Sequence, residues 1–317
     1  MSGITNATMR HAGDAHTQTT LRVQTACAFA LDVLPDRCLD LGAATYGGVP
    51  VAWMSGAALR HPRDLPENTW RDRFVGGLLA TCGLDNVGPA CEDEGRMHPQ
   101  HGRIGGESAR AVRWGTRRVG GRVLHWVSGE TAQPGSSCVL RRHIVVADDA
   151  PFVRIADTVR NEGGEPQPVM VQYHCNFGRP VVAPGGRIVV PGTTVTPRDA
   201  EDATALAHWD EIAPPRTGEG GRVFRHEQRG QRWSEASLVP PAGTGGVVAT
   251  VRADRRTLPW LWQWRVFAPE TYVVGLEPAN CAIKPRDVAR AGGILPVLAA
   301  GGRVRFVVEI MCRPHAP

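Results

Sequence analysis

Residues able to move protons stand in three short stretches of this chain. In Pro168–Pro180, PVMVQYHCNFGRP, Val169, Val171 and Tyr173 alternate with Met170, Gln172 and His174. That period of two marks a strand whose alternate side chains face opposite sides. Gly178 and Pro180 close it, so His174 stands near a strand end, where a rigid sheet presents side chains to a cavity. The second stretch is His101-Gly102-Arg103 and the third is Gly275-Leu276-Glu277-Pro278. A histidine and a carboxylate that share a cleft form an acid–base pair. Metal chemistry is poorly supported. His98 and His101 are three apart, but Pro99 prevents a regular helix between them and no HExxH or third ligand follows. His11 and His16 carry no ligand pattern either.

Elements that hold such residues must be short strands. The chain has 37 Gly and 25 Pro against 3 Tyr and 7 Phe, a punctuation that favours strands and turns over long helices. Hydrophobic residues make up 42%, enough for a sizeable core. The net charge is +5, from 36 Lys+Arg and 31 Asp+Glu, and Lys284 is the only lysine. No basic run exceeds two residues and no aromatic residues interleave with them, which argues against nucleic acid. The eight cysteines, Cys27, Cys38, Cys82, Cys91, Cys138, Cys175, Cys281 and Cys312, include no CxxC pair, so they read as small buried hydrophobes of a reducing compartment. The first twenty residues lack an apolar signal region, and no apolar run approaches ~18 residues. The expectation is a cytoplasmic protein without a membrane partner.

In chain order, residues 1–20 are polar and expected as a flexible arm, with residues 21–317 as one domain. Val23–Val33, Cys38–Leu41 and Val51–Met54 are predicted strands, and His61–Asn68 a loop. Trp70–Gly88 is apolar yet broken by Gly76, Gly77, Gly83 and Gly88, which reads as a bulged strand or as a loop lining a pocket. From Ala109 to Val159, alternating segments are separated at intervals of about ten to fifteen residues by Gly, Pro and Asp, the rhythm of a β-sandwich. Val181–Pro191 is predicted to be a hairpin around Gly185-Gly186, and Asp199–His208 a short helix. Trp260, Trp262 and Trp264 share one face of a strand; at least two are expected in the core, and one could stack on a sugar ring.

The motifs Phe74-Val-Gly-Gly-Leu-Leu-Ala-Thr-Cys-Gly-Leu-Asp-Asn86, His101-Gly-Arg103, Tyr173-His-Cys-Asn-Phe-Gly-Arg-Pro180, Leu258-Pro with Gln263-Trp264, and Tyr272-Val-Val-Gly-Leu-Glu-Pro278 occur in one order. In that order the chain resembles the galactose mutarotase (aldose 1-epimerase) superfamily over residues 20–313, more narrowly its aldose 1-epimerase-like branch. The resemblance implies an all-β, mostly antiparallel supersandwich with little helix and an open cleft. It implies Glu277 as general base and His174 as general acid, with His101 on ring hydroxyls. Arg103, Asn176 and Trp264 are expected beside them. The arginine that mutarotases place in the TCGLDN region has no equivalent, and Asn86 stands in its place. Gln263 substitutes for a sugar-binding carboxylate.

Interconversion of anomers removes a proton from the C1 hydroxyl and delivers one to the ring oxygen, work for a carboxylate and an imidazole. No metal, nucleotide or redox cofactor is required, and no GxGxxG or P-loop is present to bind one. The expected partner is a small sugar, and the expected state a monomer or homodimer. Two other readings stay open: another sugar epimerase, isomerase or lyase on the same fold, and a non-catalytic carbohydrate-binding protein.

Overall fold

In the computed structural model, residues 2–55, 59–65, 70–243 and 246–315 are described, Arg71 and Asp72 by their backbone alone. The part of the expected His61–Asn68 loop from Pro66 onward lies outside the described residues. The expected alternating segments form an eight-stranded antiparallel sheet. Its neighbours run Arg187–Val189, Trp233–Val239, Val247–Asp254, Arg303–Pro314, Phe152–Asn161, Cys138–Ala147, Arg122–Ala132 and Arg110–Val119. A six-stranded sheet orders Thr193–Pro197, Arg222–Gln228, Trp260–Phe267, Tyr272–Ala279, Met170–Phe177 and Ala80–Leu84. The three α-helices among the described residues have only four, four and six residues. The fold class expected from sequence, a mostly antiparallel β-structure with little helix, is therefore the observed one.

The two large sheets pack face to face. One apolar cluster joins Leu140, Val153 and Ile310 of the first to Val171, Tyr173 and Leu276 of the second. Each such side chain contributes about 1.5–3 kcal/mol on burial. A polar tie crosses the same layer. Arg142 donates to Asp157 at 2.7 and 3.0 Å, to Asp40 at 3.0 Å and to Thr81 at 2.8 Å. Tyr173 donates to Asp157 at 2.7 Å. The network fixes the register of the strand carrying Tyr173, and hence the position of its neighbour His174 on the opposite face.

Two expectations change. Residues 3–9 are not a loose arm: Gly3–Met9 pairs antiparallel with Gln18–Gln24 as the edge of a five-stranded sheet. Most of its side chains are exposed, so backbone hydrogen bonds, which no side-chain pattern reveals, hold it. Val181–Pro191 is not a hairpin either. Arg187–Val189 pairs instead with Trp233–Val239, while Val181 and Val182 are buried in the core.

Candidate active site

Strand parity builds the site. On the outer face of the six-stranded sheet, away from the sandwich core, Trp262 pairs with Glu277, Trp264 with Gly275, and Asn176 with Gly275. The same register sets His174 across from Glu277. Gly275 keeps this face open: a Cβ there would fall against Glu277 Oε1 and stand 3.3 Å from both His174 and Trp264. Side chains three strands wide can close over that one missing atom.

His174 Nε2 lies 3.0 Å from Glu277 Oε1. The contact is close but not aligned as a hydrogen bond, for Oε1 has no aligned partner among the described residues. Glu277 Oε2 accepts from Gln172 at 2.6 Å. On the other side of the ring, His174 Nδ1 meets Asn176 Oδ1 at 2.5 Å. Asn176 donates its amide to Gly77 and His174 carbonyls, which leaves its oxygen as the acceptor. Nδ1 therefore carries the proton, and a neutral His174 points a bare Nε2 at Glu277.

Burial governs the charges. It pushes the Glu277 carboxyl up to about 8, with Arg198 opposing. It pushes His174 down to about 3, helped by His101 and opposed by Asn176. Between those limits the pair holds one exchangeable proton, which sits on the carboxyl in the free protein. One transfer produces the carboxylate and imidazolium without changing the total. His101 is likewise held down to about 4 by burial, with the Gln172 amide opposing, so it is neutral at pH 7.

His101 reaches the same place from a loop. It adopts φ 57°, uncommon for a residue with a side chain. Its amide donates to Gly88 and its carbonyl accepts from Gly83, which hold the strained turn. Its Nδ1 is buried without a partner, and its ring lies 4.6 Å from Trp70 and 6.1 Å from His174, centroid to centroid.

These groups open on a cavity of about 1090 Å³ walled by Trp53, Trp70, Phe74, Trp264, Arg198 and Glu219 among others. That is ample for a small molecule. Trp264 stands edge-on to His174 at 5.3 Å and to Trp53 at 6.3 Å. Trp260 and Trp262 stack on each other at 5.7 Å and pack in an apolar cluster with Val223 and Ala279. Of the three tryptophans, only the last faces the cavity.

The structure brings His101, His174, Glu277 and Trp264 together at the cavity, with Asn176 behind His174 as its positioning partner. Other sequence candidates lie elsewhere. Asn86 is fully buried and donates to Pro89 and Pro99 carbonyls, so it pins the loop bearing His101 rather than reaching a ligand. Gln263 is fully buried between His226 and the Trp209 carbonyl, because it has the opposite strand parity to Trp264. Arg103 is bound to Asp85 at 2.6 Å and to the Met97 carbonyl at 2.8 Å. It lines a smaller recess and not the main cavity. Sequence reasoning missed Gln172, whose parity with His174 was a usable signal, and Trp53 and Arg198, for which no local pattern points inward; Trp70 and Phe74 belong to the stretch read as a bulged strand or a pocket-lining loop.

The metal-capable cluster found among the described residues does not line this cavity. His16, His61 and Asp64 bring ligand atoms within 4.8 Å of one another. Asp64, however, already accepts from the Ala15 and His16 backbone amides and the His16 ring. All eight cysteines are free, and no described helix is long and apolar enough to cross a membrane.

Known structures share this architecture. A candidate aldose 1-epimerase from Klebsiella pneumoniae subsp. pneumoniae superposes with a TM-score of 0.89 at 19% identity, over 98% of this chain and 83% of that one. A galactose mutarotase-like protein from Clostridium acetobutylicum gives 0.62 at 12% identity over 99% of both chains. A galactose 1-epimerase from Lactobacillus acidophilus gives 0.62 at 10% identity, over 99% of this chain and 100% of that one. At such identities the likeness shows the galactose mutarotase-like fold. No curated protein matches the chain in sequence. Residues 15–312 match the family described as Domain of unknown function (DUF4432), and the chain belongs to that family.

Proposed function

We propose that this protein is an aldose 1-epimerase-like enzyme that interconverts the anomers of a sugar by acid–base ring opening. The observation that carries the reading is the buried His174–Glu277 pair, 3.0 Å apart, sharing one exchangeable proton at the wall of an aromatic cavity. The anomeric carbon bears two oxygens, its hydroxyl and the ring oxygen, closer together than a hydrogen-bond length. Two proton carriers in contact with each other match two oxygens on one carbon. Glu277, as carboxylate, takes the C1 hydroxyl proton while His174 protonates the ring oxygen; the ring opens, C1 rotates and the steps reverse. His101 Nδ1 and Glu277 Oε1, both buried without an aligned partner, are the atoms that a sugar hydroxyl would satisfy. An orphaned polar atom of this kind costs about 1–3 kcal/mol. Trp264 and Trp70 offer faces for the apolar side of the ring.

The test is anomer exchange by polarimetry and two-dimensional NMR across a panel of aldoses, with the spontaneous rate subtracted. Glu277→Gln and His174→Asn should each lower kcat by ~10²–10⁴-fold. Near-full activity in Glu277→Gln would end the assignment. Exchange at C2 or double-bond formation without anomer exchange would replace it with epimerase or lyase chemistry.

A further inference from the structure

We infer that the recess behind Trp70 is an oxyanion subsite, so that the substrate is a sugar bearing an anionic group, a phosphate or a carboxylate, held by Arg37 and Arg73. The inference rests on the reading above only for the sugar itself. The recess has a volume of about 290 Å³ and adjoins the main cavity, with which it shares Trp70, Phe74, Gln100 and His101. Besides Arg37 and Arg73, two charged side chains line it, Asp40 and Arg103, and Glu107 lies beside it. Asp40 is engaged by Thr81 and Arg142. Arg103 is engaged by Asp85. Glu107 lies near Arg73 and Arg103 but forms no ion pair with either among the described residues.

Neither Arg37 nor Arg73 forms an ion pair among the described residues, although Asp40 and Asp36 lie near Arg37. Arg37 is only 5% exposed, yet among the described residues its guanidinium reaches only backbone carbonyls, those of Arg73 at 3.2 Å and Arg60 at 2.8 Å. Its Nε is buried with no partner. Arg73 has no carboxylate partner among the described residues, and it lies across Gly106, where a Cβ would collide with its Nη2. Two guanidiniums that repel each other around a hollow, one of them buried, form a site whose charge an oxyanion would neutralise through planar, charge-assisted hydrogen bonds. Burial depresses Arg37 to about 10, with Asp40 and Asp36 opposing and Arg73 adding to the shift, an electrostatic cost that a bound anion would relieve.

The experiment measures binding by calorimetry, so it does not depend on any turnover. Probes are inorganic phosphate, a neutral hexose, the hexose 6-phosphate and the hexuronate, each with wild type, Arg73→Gln, Arg73→Lys and Arg229→Gln. The last is a control at a side chain 80% exposed. In wild type at least one anionic sugar should bind about tenfold or more tightly than the hexose, with a preference that weakens with salt. Which anionic sugar wins distinguishes phosphate from carboxylate. Arg73→Gln should abolish the preference, Arg73→Lys should restore part of it, and Arg229→Gln should leave it intact. Equal binding of neutral and anionic sugars by wild type, or a preference that survives Arg73→Gln, overturns the inference. An Arg73-dependent preference without anomer exchange would keep the subsite and discard the reaction.

Discussion

Replacing Glu277 with Gln should make the protein more stable, and increasingly so as the pH rises. Burial raises this carboxyl from 4.5 to about 8. The folded state therefore binds a proton more tightly than the unfolded chain. Its stabilising contribution is complete below pH ~4.5 and disappears as pH rises through ~8. At about 1.4 kcal/mol per pKa unit, the loss across that window is roughly 4–5 kcal/mol as an upper bound. Glutamine keeps the acceptor for Gln172 and offers its amide to His174 Nε2, the bond that the protonated carboxyl would make, but it does not titrate. Urea melts of wild type and Glu277→Gln at half-unit pH steps from 4.5 to 9 would give the difference directly. The curves should lie close together at the acid end, diverge with pH and run parallel above pH ~8. A difference independent of pH, or a variant less stable than wild type at pH 8, would show that Glu277 is an ordinary carboxylate paired with a charged His174, and the proton count of the pair would fail with it.

Three further outcomes follow from the same geometry. The pH profile of kcat/KM should be a broad bell with limbs near 3 and 8, because the pair has no base below the first and no acid above the second; a single limb near 6.5 would deny the depressed imidazole. Gly275→Ala should cut activity by at least about tenfold while barely moving the urea midpoint, since the new methyl displaces Glu277 Oε1 in the cavity and not the core; unchanged kcat would mean that the His174–Glu277 spacing is slack. Arg142→Met should cost about 3–5 kcal/mol by stranding Asp157 and Asp40 as buried charges; a loss under about 1 kcal/mol in chemical denaturation would show that the network adds little to holding the sheets.

The short strands of this chain were legible in its sequence because alternation is a local property. The segments from Ala109 to Val159 paired in order, since consecutive antiparallel strands need only a turn between them. Parity also separated Tyr173, which faces the core, from His174, which faces the cavity. The same rule applied to Gln263 and Trp264 would have sent the glutamine inward, away from any ligand. Composition and alternation could not decide which loop residues turn toward the cavity. Asn86 and His101 are both polar and both follow a glycine-broken stretch, yet one pins a loop and the other points its ring at the site, because backbone bonds to Gly83 and Gly88 set the turn. Nor could they pair Arg37 with Arg73, which are far apart in sequence and meet behind Trp70. The sequence by itself determined most of the strands, their faces and the types of group available for proton transfer. Only the tertiary structure decided which of them share a low-dielectric cavity, because burial and convergence depend on contacts between segments remote along the chain, and those contacts alone shift the proton affinities that the chemistry uses.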